Sequence, residues 1–146
     1  SLMITELYVP RHELAEFLRD AARDLQERGA IVIYGTVRLI EKDIESFLVW
    51  AKDSYACVIF NLLVEHTVSG QEKAADTFRS LIDLALARGG NYYLTYHRFA
   101  SRSQVEHGYP QFGRFLDAKR QHDPEELFQN DWYRHYRDLW FTKSSS

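Results

Sequence analysis

The sequence is short of several things, and each shortage excludes a class of function. It holds one cysteine, Cys57, so neither an internal disulfide nor a cysteine-rich zinc site can form. A reducing compartment is the default for such a chain. With no charged n-region and apolar h-region at the start, a cytoplasmic location is expected. No apolar run approaches the ~20 residues of a membrane-spanning helix, so no membrane partner is expected. Positive charge is not in excess. The 18 Lys and Arg against 21 Asp and Glu leave a formal net charge of −3, which argues against a nucleic-acid partner. The seven glycines include no run that makes a phosphate-binding loop. His66, His107, His122 and His135 show no metal-ligand spacing, so no metal is expected.

Aromatic side chains are plentiful, at 14% with nine Tyr, and many gather in the last third: Tyr92, Tyr93, Tyr96, Tyr109, Trp132, Tyr133, Tyr136 and Trp140. Rings with polar tips suit a surface where one end is buried and the other wet. They also suit a core whose rings keep a polar handle. At 146 residues the chain makes one domain that buries roughly 70% of its unfolded surface.

Periodicity orders the elements. Residues 4–9 form a strand stopped by Pro10. Leu14, Phe17, Leu18, Ala21 and Leu25 recur at helical spacing up to Gly29. A β-branched strand over 30–40 is followed by a short helix over 42–52 and a strand over 55–65. Ala74, Ala75, Phe78, Leu81, Ile82 and Ala85 mark a second long helix, which Gly89-Gly90 caps. A last strand runs over 92–97. The fold class is therefore α+β: a ferredoxin-like β-α-β-β-α-β antiparallel sheet with helices on one face, over residues 3–100. A helical C-terminal extension over 101–143 completes a single structural unit. Asp123 as cap, Pro124 at the first position and Glu125-Glu126 predict a helix start there. Ser144–Ser146 are expected to be disordered.

Strand alternation sorts side chains between two faces. Ile31, Ile33, Val37 and Leu39, with Ala56, Val58, Phe60, Leu62 and Val64, are expected under the helices. Tyr34, Thr36, Arg38, Tyr55, Cys57, Asn61 and Glu65 lie opposite, with Glu6 and Tyr8 opposing Leu7 and Val9. In the last strand Tyr93, Thr95 and His97 oppose Leu94 and Tyr96. The opposite face is aromatic as well as polar, which points to a contact surface for a ligand, flavin or partner; ordinary exposure is the alternative.

Several segments then resemble one family. GluLeuTyrValPro at 6–10 is similar to a Glu-Tyr-x-Val-Pro strand. Gly35-Thr36-Val37-Arg38 resembles a Glu-x-Arg strand in which Arg38 matches and Thr36 replaces the glutamate. Cys57–Asn61 lies where a further substrate-facing strand stands, and Leu94–Arg98 replaces a His-Trp-Gly-Lys motif. Over 89–136, a Tyr-Pro turn, a basic amphipathic helix, the DPEELF segment and an aromatic tail follow in the order of the same group. The group is the FAD-linked oxidases of the vanillyl-alcohol-oxidase type, which includes the sugar-lactone and alditol oxidases. The resemblance implies a substrate-binding cap over an FAD held by a flavin-binding domain or subunit, acting on a small alcohol-type substrate. It implies substrate- or flavin-facing roles for Tyr34, Thr36, Arg38, Tyr55, Asn61, Tyr93 and Tyr96. His97, the nearest successor to the missing lysine by chemistry and parity, is the candidate catalytic base or hydrogen-bond partner, with a packed polar strand histidine as the alternative. Arg38 alternatively pairs with Glu6 or Glu65. The competing reading is a stand-alone ferredoxin-like module that binds a small ligand or dimerises, and exposed aromatics over 132–140 point to a homo-oligomer. A single-stranded RNA platform is a distant third, without the matching sheet motif.

Overall fold

A computed structural model describes residues 1–142; the expectation for Ser144–Ser146 lies outside the described residues. Strand β1 (Leu2–Pro10) leads through a 3-10 turn at Arg11–Glu13 into helix α1 (Leu14–Glu27), whose stripe of Phe17, Ala21 and Leu25 is buried. Gly29 takes φ 64°, and Ala30 donates back to the Leu25 carbonyl, closing the helix end. Strands β2 (Ile31–Ile40) and β3 (Tyr55–Leu63) follow, then helix α2 (Val68–Leu86), capped by the Thr67 hydroxyl, and the two-residue strand β4 (Asn91–Tyr92). The C-terminal part is α3 (Arg102–Gly108), α4 (Phe112–His122) and α5 (Asp131–Phe141).

The four strands are antiparallel in the order β2-β3-β1-β4, which is the split β-α-β arrangement expected from the sequence. Leu7 and Val9 of β1, Ala56, Val58 and Leu62 of β3, and Phe17, Phe78, Leu81 and Ile82 of the helices form the main core. The same core takes in Val105, Tyr109, Phe112, Leu116, Tyr133 and Tyr136, so the C-terminal helices pack as part of it.

Four local expectations are corrected. The apolar row of β2 does not pack under the helices: Val37 is 46% and Leu39 67% exposed. Helix α2 packs on β1, β4 and α3, so the helical layer is displaced toward β4 and leaves β2 bare. A bulge between Val32 and Tyr34 also breaks the parity that joined Ile31 and Ile33 to Val37. No helix forms over 42–52. The Asp43 carboxylate takes the amides of Glu45 and Ser46 at 3.0 and 3.1 Å, a local turn that competes with helix formation. The last strand pairs only over Asn91–Tyr92, with Tyr93 adding one bond to the Glu6 carbonyl at 2.8 Å. The Tyr109 hydroxyl and the Trp132 indole claim the Tyr92 and Leu94 carbonyls, and a turn over 94–96 draws the chain off the sheet.

DPEELF, finally, is not a helix start. Asp123 accepts the amides of Leu127 and Phe128 at 2.9 Å each and pairs with Lys119, while Glu126 sits at φ 52°. Helix α5 begins eight residues after Asp123 instead, capped by Asn130. Its aromatic face is turned inward: Phe112 meets Trp132, Tyr136 and Trp140 at ring separations of 5.8, 5.2 and 5.0 Å.

Candidate functional site

The sheet face turned away from α1 and α2 is laid out in cross-strand rows. Pairing places Arg38, Cys57 and Tyr8 in one row, Thr36, Ile59 and Glu6 in the next, and Tyr34, Asn61 and Ile4 in the third. Partners in an antiparallel ladder point to the same side, so these nine residues share the face.

One end of this face is roofed. The connection over 41–54 folds back so that the Trp50 ring lies 5.3 Å from Tyr8 and Ala51 is fully buried. The roof is held to the rest of the chain by side-chain amides: Asn91 Nδ2 donates to the Trp50 carbonyl at 3.1 Å and Gln111 Nε2 to the Phe47 carbonyl at 2.8 Å. Lys52 Nζ adds a bond to the His107 carbonyl at 3.3 Å. Beneath the roof Tyr8, Tyr55 and Cys57 form a small second core. Tyr55 is thus on the expected face but covered, with its hydroxyl donated to the Gly89 carbonyl at 3.0 Å.

Beyond the roof the face is open around Glu6. The Glu6 carboxylate, half-buried, accepts the Tyr8 hydroxyl at 2.6 Å. Burial raises the Tyr8 phenol well above its ordinary range, and this bond to a carboxylate raises it further. Burial and then Glu6 push the Cys57 thiol up to about 12, opposed by Arg38, so Cys57 stays a neutral thiol rather than a nucleophile. Burial and Glu6 raise the half-exposed Tyr96 as well, again opposed by Arg38. Glu6 and Arg38 thus act on the same small patch, yet no ion pair joins them among the described residues. Tyr93 and Tyr96 wall the β4 side, their rings 4.9 Å apart at 64°. Asn61 is 4% exposed, and among the described residues its Oδ1 has no hydrogen-bond partner.

His97 lies on the other side of the sheet. Its ring stacks on Phe78 of α2 at 4.6 Å and on Phe99 at 5.5 Å, and Nε2 is 3.4 Å from the Thr5 hydroxyl. It is 6% exposed, and burial lowers its pKa to about 4. Of the eight sequence-derived positions, Thr36, Arg38, Tyr93 and Tyr96 gather around the open patch, with Tyr34 and Asn61 in the adjoining row. Tyr55 is under the roof, and His97 is separated by the sheet. Glu6, expected on this face and as an ion-pair alternative for Arg38, was not among the expected site residues, although it is the one charged residue in its strand.

A protein-family profile described as D-arabinono-1,4-lactone oxidase matches residues 1–136. The chain belongs to that family. Comparison with curated proteins gives no match. Oxidases of the D-arabinono-1,4-lactone oxidase family are FAD-linked, and two parts of that cofactor can be weighed against this chain. The open patch offers aromatic walls and a fixed cation, which suit a ring edge or a substrate oxygen. The pyrophosphate finds no such match. Gly29 and Gly89 serve helix C-termini, Gly35 is in a strand, and Gly70, Gly90, Gly108 and Gly113 pack against the chain's own atoms. Gly70 and Gly113 lie in the first turns of α2 and α4, but Glu65 and Trp140 occupy the space a phosphate would need there. Among the described residues no helix is long and apolar enough to cross a membrane.

Proposed function

We propose that this domain is the substrate-binding cap of an FAD-linked oxidoreductase acting on a CH–OH substrate, with the open sheet face turned to flavin and substrate. The observation that carries the reading is the meeting of Glu6, Arg38, Tyr93 and Tyr96 on one uncovered patch of a chain belonging to an FAD-linked oxidase family. A separate flavin-binding domain or subunit would hold the flavin, which when bound would supply the two-electron redox chemistry. The residues of this chain bind and orient. Arg38 donates to a substrate oxygen and steadies negative charge beside it. Tyr93 and Tyr96 shape one wall, with Tyr34 and Thr36 opposite. Asn61, in the adjoining row, is buried beneath this surface and bears on it only from below. Trp50 and the roof keep water from the Tyr8 end. His97, neutral and clamped between rings, supports the turn carrying Tyr96 from behind the sheet and takes no substrate proton in this reading.

Titration with FAD, alone and with a separately expressed flavin domain, tests the assignment through flavin fluorescence and visible absorbance. Association with the flavin only when both proteins are present is the expected result, weakened by Arg38→Ala. No association in either mixture would sink it. The bare β2 strand supports a second reading, a module that dimerises through its sheet, because an uncovered apolar edge strand selects a partner. A concentration-dependent rise in mass by analytical ultracentrifugation, abolished by Leu39→Lys, is the outcome that reading requires.

A further inference from the structure

The open patch contains one carboxylate and one guanidinium, and neither is neutralised by the other. Arg38 is on β2 and Glu6 on β1, with β3 between them. Two strand spacings of about 5 Å and a two-residue offset of about 7 Å set their Cα atoms roughly 12 Å apart. Cys57 and Ile59 of β3 lie between them in the same two rows. An ionised carboxylate offers about four lone-pair sites; the Tyr8 hydroxyl takes one, and the Tyr96 hydroxyl and the Cys57 thiol also interact with it as donors. Capacity remains on the exposed side. A purely internal role, satisfying the buried Tyr8 hydroxyl, would be filled equally by a neutral acceptor. A half-buried charge beside an uncovered surface does something a neutral acceptor cannot: it selects ligands by charge.

We propose that Glu6 is the specificity-determining carboxylate of this face, accepting hydroxyl protons of a neutral polyhydroxylated ligand whose oxygens Arg38 contacts, and repelling the corresponding carboxylate-bearing acids. The inference rests on the reading of this face as the substrate face. Arg38 alone would favour an anion, since a guanidinium fork binds a carboxylate with two parallel bonds. Glu6 reverses that preference by placing a like charge where the anion would lie. Hydroxyl groups satisfy both residues at once, donating to Glu6 and accepting from Arg38. Thr36, in the same row as Glu6, adds a hydroxyl but no charge.

The test compares two stable probes that differ at one carbon, arabitol and arabinonate, in titrations of the full chain followed by protein NMR. Wild type is expected to bind arabitol at least about tenfold more tightly, a difference of about 1.4 kcal/mol. Glu6→Gln keeps an acceptor for Tyr8 and is expected to bring the two probes within about threefold, chiefly by tightening arabinonate. Glu6→Gln combined with Thr36→Glu returns a carboxylate to the same row and is expected to restore the preference. An unchanged preference in Glu6→Gln, with both probes weakened by Arg38→Ala, overturns the role of Glu6 and leaves the substrate face standing. Absence of binding by either probe to wild type overturns both.

Discussion

At the residue scale, alternation placed Thr36 and Arg38 correctly because β2 is regular after its bulge, and it failed for His97. Counting by twos from Tyr93 assumes that the strand continues. The turn over 94–96 ends it, and His97 emerges on the helix side between Phe78 and Phe99. Nothing in a single sequence announces that the Tyr109 hydroxyl and the Trp132 indole will take the ladder's carbonyls. The consequence is measurable. An unfolded histidine titrates near 6.5, and His97 in the folded chain titrates at about 4. Above 6.5 both states are neutral and its contribution is complete. As the pH falls below 6.5 the unfolded state gains the proton first, so stability drains away until the folded form titrates as well, a loss of about 3 kcal/mol. Urea unfolding at pH 7 and pH 4 should show His97→Phe losing less by about that amount. Equal acid sensitivity of the two proteins would contradict this account. Gly90 gives a second residue-scale expectation. A methyl group there collides with the Tyr8 carbonyl and approaches the Ala85 carbonyl at 2.7 Å, both backbone atoms that cannot step aside. Gly90→Ala should therefore cost about 3 kcal/mol or more in denaturant melts.

At the element scale, the long helices and the three long strands were legible because each is set by its own period. The connections were not. Residues 42–52 have helix-like apolar spacing, but Asp43 spends its carboxylate on a local turn, leaving Ile44 82% and Phe47 52% exposed. The DPEELF segment has every composition cue of a helix start, yet Asp123 caps a turn that helix α5 does not continue. Strand β2 was recognised as a strand and misjudged in its surroundings, since period 2 says which side chains share a face and not what covers them. The same residue type should then behave differently on two strands. Leu7→Ala in β1, fully buried, should cost 2 to 5 kcal/mol, roughly the range for core truncations. Leu39→Ala in β2, 67% exposed, should stay within about 0.5 kcal/mol. Comparable losses at both sites would mean that β2 is covered in solution.

At the scale of the whole molecule, the stretch over 3–100 and the helical extension over 101–143, expected as a single structural unit, contribute to one core. Tyr92 and Leu94 on one side, and Tyr109, Phe112 and Tyr136 on the other, belong to the same cluster. We therefore propose that residues 1–142 unfold in a single transition monitored by near- and far-ultraviolet circular dichroism. A protein ending at residue 100 should lose the near-ultraviolet signal. Independent melting of the C-terminal helices would show two units instead.

The roof over the Tyr8 end has a further meaning across related sequences. Its backbone is clasped by Asn91 and Gln111, and Lys52 reaches the backbone at His107, so the segment that closes one side of the face is anchored to residues 41 to 64 positions downstream. A lengthened or shortened 41–54 connection would leave these amides without their carbonyl partners. Homologues that vary the roof should thus vary positions 91 and 111 in step. That pattern of co-substitution would tie the evolution of ligand choice to residues that never touch the ligand.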